Sequence, residues 1–350
     1  MKPNTIRPRQ QLTSVTRASL NPTVEPYHTS AALTLSDYLG GWKVRWGIGR
    51  MQYLVSPGLY ALGSPDAGSQ VLVTANYKLT FDTLRKELGG LNVWILVLDT
   101  KGVNVWCAAG KGTFGTEELV SRIQATNLSH FVNHRKLLVP QLGATGISAH
   151  EVLQRSGFHV IYGPVRAADL PDFIKADFQA TPSMRRVRFN LIDRLVLTPV
   201  ELVGSLNITL MIFGVMFLLN LVSQSPFGLI DAYAYIGAVV AGCIITPIVL
   251  PLIIGPAFSW KGWVVGLIWT LATLMLNDLP NLQDFSLLRV IGYFLILPAV
   301  SAYYGMNFTG ASTYTSLSGV EKEMKVAVPL IVVSICLGSV CVLLNSFFGL

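Results

Sequence analysis

Beyond Arg194 the chain becomes a series of apolar runs, at about 202–222, 233–255, 261–277, 286–305 and 326–346, with few charges between them. A helix needs roughly 20 apolar residues to cross a bilayer. In hydrocarbon only helices and closed barrels satisfy their own backbone. The second half is therefore expected to be an all-α five-helix transmembrane domain, 191–350, with lipid as its surroundings. Pro247 and Pro251 predict a kink in the second span. Arg185, Arg186, Arg188 and Arg194 stand just before the first run, whereas 223–231 has neither Lys nor Arg. Lys261, Lys322 and Lys325 then fall on the arginine side, and only Arg289 opposes the pattern. The positive-inside rule places the N-terminal half in the cytoplasm and the C-terminus outside, as in a multi-pass protein of the cytoplasmic (inner) membrane. Residues 306–325 are expected to form a cytoplasmic loop. Because the spans hold almost no ionisable groups, an anchor is favoured over a transporter.

The first half is different. Its charges are dense and mixed, which explains how a chain 51% apolar can still be 13% charged. The net charge of +7 forms no basic stripe interleaved with aromatics, so nucleic acid is not an expected partner. Residues 1–35 read as a polar tail without the apolar core of a secretory signal, and 36–190 as a cytoplasmic domain. Cys243, Cys336 and Cys341 lie in the apolar runs and Cys107 stands alone in the soluble half, a pattern suited to a reducing compartment. With neither CxxC nor a Cys/His cluster, the chain is expected to hold no iron–sulfur cluster or zinc of its own.

Residues 70–178 alternate strand and helix signals. Strands are expected at 71–75, 93–98, 103–107, 137–140 and 159–163. Helices are expected where Thr80 and Thr116 can cap, at a capping box from Ser148 to Glu151, and near 168–178. Repeated βα units imply an α/β fold with a doubly wound, Rossmann-like, mostly parallel sheet. Such sheets bind ligands beyond the carboxyl ends of their strands, so the loops of interest begin at Thr74, Asn104, Pro140 and Gly163.

One of these loops carries Asn104, Val105, Trp106, Cys107, Ala108, Ala109, Gly110 and Lys111. It is not a phosphate-binding loop, since Lys111 is followed by Gly112, and the glycine ladder Gly110, Gly112 and Gly115 is by itself weak evidence of a dinucleotide fingerprint. It offers one thiol flanked by very small side chains, an indole wall and a nearby cation. Three roles are open to Cys107: a buried small hydrophobe, a metal or cofactor ligand, or a nucleophile. The last would need a histidine base, and the sequence ties none of His130, His134, His150 or His159 to it.

Three segments within 55–169 carry a resemblance: PGLYALGSPDAGSQVLVTANYKLTFDTLR, VNVWCAAGKGTFGTEELV and LLVPQLGATGISAHEVLQRSGFHVIYGPVRAADLP. They resemble the corrinoid-binding domain of the large subunit of the corrinoid iron–sulfur protein of acetyl-CoA metabolism. MNFTGASTYTSLSGVEKEM (306–324) matches that wider superfamily too. NVWCAAGK followed by a multi-span tail is similar to the family of mercury-methylating corrinoid proteins. The resemblance implies a corrinoid-dependent methyltransferase holding a cobalamin-type cofactor, with Cys107 as lower axial ligand of the cobalt and 104–111 facing the corrinoid. Thr74, Gly143, Ala144 and Ala167 are further expected cofactor contacts on neighbouring loops. The DxHxxG motif by which other corrinoid proteins supply a histidine ligand is absent. The resemblance further implies Hg(II) as methyl acceptor, a ferredoxin-like iron–sulfur protein as electron donor, and a methyl-donor protein or methylated folate. Two other readings remain: a membrane-bound methyl carrier of one-carbon metabolism with another acceptor, and a membrane scaffold or transporter with a ligand-binding α/β domain.

Overall fold

The computed structural model describes residues 25–222, 227–277, 286–311 and 317–348. Three strands of the parallel core have the continuous apolar sequences that burial on both faces demands. They are β3 (Val71–Ala75), β4 (Val93–Leu98) and β5 (Lys136–Val139), whose residues are buried apart from Lys136. With β6 (His159–Tyr162) they form the parallel order β4-β3-β5-β6. Two strands unforeseen in the sequence extend the sheet beyond β4. β2 (Gly58–Leu62) pairs antiparallel with β4, and β1 (Tyr27–Thr29) pairs parallel with β2.

Alternate residues along each strand feed two separate cores. On one face, Val71, Val73 and Leu96 pack with residues of α3 (Val105–Gly110), α4 (Thr116–Ala125) and α6 (Ala149–Ser156), with α5 (Leu128–Phe131) alongside. On the other, Leu72, Ile95 and Leu138 pack with Phe81, Leu84 and Phe173 of α2 (Lys78–Glu87) and α7 (Leu170–Lys175). Helices thus cover both faces of a mixed sheet. The crossover from β3 runs through α2 toward β4, and later connections run back on the opposite face. That reversal opens a crevice at the strand ends.

Several expectations need correction. The strand at 103–107 is instead α3. Asn104 caps it, and Ala108 N donates to the carbonyl of Asn104, so this stretch coils rather than extends. α2 starts at Lys78, ahead of Thr80, and Thr116 is the first residue of α4 rather than its cap. Ser148 does accept from Glu151 N, without the reciprocal half of a capping box. Residues 25–35 are not a tail: β1 joins the sheet and α1 (Leu35–Arg45) starts at Leu35; residues 1–24 of the expected tail lie outside the described residues. Thr34 and Asp37 close a reciprocal capping box on α1, with Asp37 Oδ2 accepting from Thr34 N at 2.9 Å.

From α8 (Leu191–Leu195) onward, five helical segments among the described residues are long and apolar enough to cross a membrane. The first includes α8 and α9 (Thr198–Val222); the second includes α10 (Leu229–Val240) and α11 (Thr246–Val249). The other three are α12 (Phe258–Leu276), α13 (Leu287–Ala311) and α14 (Leu317–Phe348). The second span shows its expected distortion as a π turn, Ala241–Ile245, just before Pro247, and it stops at Val249 rather than near 255. Pro247 has no N–H for a helical bond, and Thr246 Oγ1 donates to the carbonyl of Ala241 at 2.8 Å. The loop expected over 306–325 is mostly helix. α13 continues to Ala311 and α14 begins at Leu317, leaving only 312–316 outside the described residues.

Candidate functional site

All four strand-end loops meet at one cavity. Thr74, Asn104, Pro140 and Gly163 line a space of about 380 Å³, the size of a pocket for a small ligand or one arm of a large one. Val105, Trp106 and Ala167 complete the part foreseen from sequence. The roof was not foreseen. It comes from Val44 and Arg45 of α1, from Arg50, and from Val196, Leu197 and Val200 at the start of the first membrane span. The walls are chiefly apolar, and Arg45, Arg50 and Arg166 add positive charge. Burial holds the Arg45 guanidinium below its ordinary pKa, opposed by Tyr77.

Cys107 stands one residue beyond Trp106, half-buried and outside the cavity lining. Its backbone N–H donates to Asn104 Oδ1 at 2.9 Å. Among the described residues its thiol has no hydrogen-bond partner. Ala108 and Ala109 point into the core beneath α3, whereas Gly110 and Lys111 are exposed. Thus the octapeptide divides into three parts: Asn104, Val105 and Trp106 face the cavity, Ala108 and Ala109 support the helix, and Cys107, Gly110 and Lys111 reach the surface. A Cβ on Gly110 would meet nothing within 4 Å, so the space beside it is open.

The remaining expected contacts separate. Thr74 and Ala167 line the cavity; Gly143 and Ala144 do not. Gly143 is a packing residue, since a Cβ there would overlap the Phe114 ring. Gly146, overlooked in the sequence, has the tighter constraint. Its Cβ would overlap the backbone carbonyl of Phe114 and lie 3.1 Å from the Ala109 Cα, so α3 rests directly on this glycine.

Asn76 was also overlooked, and it shapes the loop leading into α3. Buried just past β3, its Oδ1 accepts from Thr100 N at 3.1 Å, Thr100 Oγ1 at 2.8 Å and Gly102 N at 3.0 Å. Its Nδ2 donates to Asp99 Oδ1 at 3.2 Å. Gly102 turns with φ +73°, where a side chain would be strained and its Cβ would lie 3.0 Å from the Met51 carbonyl. The signal available in the sequence was the polar Asn76 directly following an apolar strand. A polar side chain there is expected to satisfy loop backbone groups.

Residues 49–173 match the family described as CO dehydrogenase/acetyl-CoA synthase delta subunit. The chain is 34% identical over 125 residues to an acetyl-CoA decarbonylase/synthase complex subunit gamma of Methanopyrus kandleri, covering 35% of this chain and 27% of that protein. The subunit gamma of Archaeoglobus fulgidus is 32% identical over 126 residues, covering 35% of this chain and 26% of the relative. The subunit gamma 2 of Methanosarcina thermophila is 26% identical over 159 residues, covering 44% and 32%. The chain thus spans about a quarter of the length of the first two curated relatives it matches. The matches to the family and to the first two relatives are about the length of the sheet domain and include the Cys107 loop in the family's case.

Proposed function

We propose that this chain is a membrane-anchored corrinoid protein of methyl transfer, in which Cys107 would ligate the cobalt and the sheet domain, from β1 to about residue 190, would hold the cofactor on the cytoplasmic side. The observation that carries the reading is the accessible Cys107 thiol beside a strand-end cavity, in the segment that matches the family. The residues fit such a group chemically. A soft sulfur donor is free to ligate a metal, and Asn104 holds its backbone in a helical turn. Small neighbours leave room beside it, with open space at Gly110. When bound, the corrinoid supplies the cobalt centre that carries a methyl group. The protein's tasks are to present Cys107, to exclude water with Val105 and Trp106, and to attract anionic groups with Arg45, Arg50 and Arg166. Asn76 and Gly146 act at one remove by positioning the loop and helix.

Two readings of the methyl group's destination follow, and the relatives support the first. The relatives' names favour a carrier in one-carbon metabolism of the acetyl-CoA type, working beside other subunits. The resemblance of the cysteine-centred motif and multi-span tail to mercury-methylating corrinoid proteins implies Hg(II) as substrate instead, with methylmercury as product. In both readings a ferredoxin-like protein provides electrons, and a methyl-donor protein or methylated folate provides the methyl group.

The test uses the full chain in detergent or nanodiscs, loaded with cob(III)alamin, beside Cys107→Ala. Binding with a sulfur-ligated absorption spectrum that Cys107→Ala loses supports the reading. Failure of both proteins to take up corrinoid removes it. Methylmercury formation from Hg(II) by the methylated protein then decides between the two acceptors.

A further inference from the structure

We infer that α1 lies in the headgroup layer of the membrane that holds the five spans, and that its outer face is a lipid-docking surface. The helix has two apolar sides. Gly41 and Val44 are buried, and a Cβ on Gly41 would lie 3.3 Å from Leu79 of α2. Leu35, Tyr38, Leu39 and Trp42, at spacings of i, i+3, i+4 and i+7, form a second stripe that faces outward. Leu39 is 52% exposed and Trp42 58%. The surface continues through Ile48 and Met51, and a groove between Leu35, Leu39 and Ile48 runs across it. A run of large apolar side chains this long is a docking surface rather than ordinary solvent-facing helix.

Three observations select lipid as its occupant. First, the surface is continuous with a membrane span. A Cβ on Gly47, just after α1, would be 3.7 Å from Val200 and 3.9 Å from Val203, both within the first apolar span. This contact holds the end of α1 beside the first turns of that span, where the bilayer surface must begin. Second, the stripe is aromatic in the way of an interface: Tyr38 and Trp42 are exposed, and Trp42 lies 5.8 Å from Trp46 between ring centroids. Indole and phenol rings suit a level that is apolar below and wet above. Third, the charge is of one sign. Lys43 is exposed on this surface, while α1's acid, Asp37, is turned inward to Arg85 and Lys78. Basic residues beside an apolar helix face match an anionic headgroup layer. Since α1 also supplies Val44 and Arg45 to the cavity roof, docking would seat the candidate site against the bilayer surface.

The test is photolabelling of the full chain in vesicles of phosphatidylcholine and phosphatidylglycerol containing a diazirine lipid with the reactive group near the headgroup, followed by peptide mapping. Adducts are expected on the peptide holding 35–54 as well as at the ends of the spans. The double variant Leu39→Glu/Trp42→Glu, altering only exposed side chains, is expected to lose the former and retain the latter. Labelled spans with an unlabelled α1 would overturn the proposal. So would a shift of the full chain from monomer to a larger species in detergent that Leu39→Glu/Trp42→Glu abolishes, because the stripe would then be a protein interface.

Discussion

At the residue scale, the thiol of Cys107 depends on two further positions, Asn76 and Gly146. Cys107→Ser keeps the size and removes the soft donor. It is expected to fold normally and to lose the sulfur-ligated corrinoid spectrum, which absorption and electron paramagnetic resonance would detect. Asn76→Ala deprives Gly102 N of its side-chain acceptor in a buried position, whereas Thr100 N keeps the carbonyl of Leu98 at 3.1 Å. Such an orphaned group costs about 1–3 kcal/mol in proteins, so a fall in melting temperature is expected together with weaker corrinoid binding. Gly146→Ala is expected to be worse for binding than for folding. The added methyl collides with the Phe114 backbone, which cannot rotate away as a side chain would, and α3 must move. A titration of corrinoid against each variant would separate these effects from that of Cys107. If Gly146→Ala bound as tightly as the wild type, α3 would not be the mount of the cofactor ligand.

At the element scale, α1 is held to the sheet domain by charge as much as by packing. Asp37 forms ion pairs with Arg85 at 2.8 Å and with Lys78, and both cations also meet Asp82 of α2. Burial pushes the Asp37 carboxyl up, but hydrogen bonds from Lys78, Thr34 and Arg85 outweigh it and hold the group well below the usual carboxylate range. A carboxyl depressed in the fold contributes stability that is fully present above its unfolded value, about 3.9, and is lost as pH falls through its folded value. The Asp37 contribution is therefore expected to begin fading near pH 4 and to last further into acid than an ordinary carboxylate would permit. Asp37→Asn should flatten that part of the stability-versus-pH curve, as followed by thermal unfolding of the full chain in detergent. Among the membrane helices, Glu323 of α14 accepts from Ser259 N in the first turn of α12 at 2.6 Å, which caps one helix with another. Glu323→Ala is expected to cost on the order of 1 kcal/mol. Faster proteolysis near 257–262 would reveal the loosened end.

At the scale of the whole molecule, the cavity is where the two halves of the chain meet. Residues of the sheet, of α1 and of the first span all line it. The positive-inside rule applied to five spans predicts a cytoplasmic sheet domain and an outside C-terminus. A C-terminal tag is therefore expected to be cut by protease added outside intact spheroplasts, while Cys107 is labelled only after the cells are opened. Equal labelling of both from one side would reject this topology. In the second and fourth spans, Asp231 accepts from Arg289 and Tyr293, tying the start of α10 to α13. The sole basic residue that opposed the charge rule in the sequence is thus neutralised by a carboxylate on a neighbouring helix.

Patterns local in the chain were legible without a structure. The central strands, their helices and the spans appeared because periodicity and apolar length are one-dimensional signals. The strand-end loops followed from the rule that such sheets bind ligands there, and all four reach the cavity. What tertiary structure alone decided is long in range. β2 becomes a strand by pairing with the edge of β4, and the three-residue β1 by pairing in turn with β2. The octapeptide around Cys107 is helical because Asn104 caps it and Gly146 leaves room beneath it. Its eight residues point in three directions because a helix distributes neighbours around its axis. The role of α1 in the cavity roof depends on contacts with Val200 and Val203, far along the chain in the first span. No window along the sequence contains both partners of such a contact, so only the folded chain could bring them together.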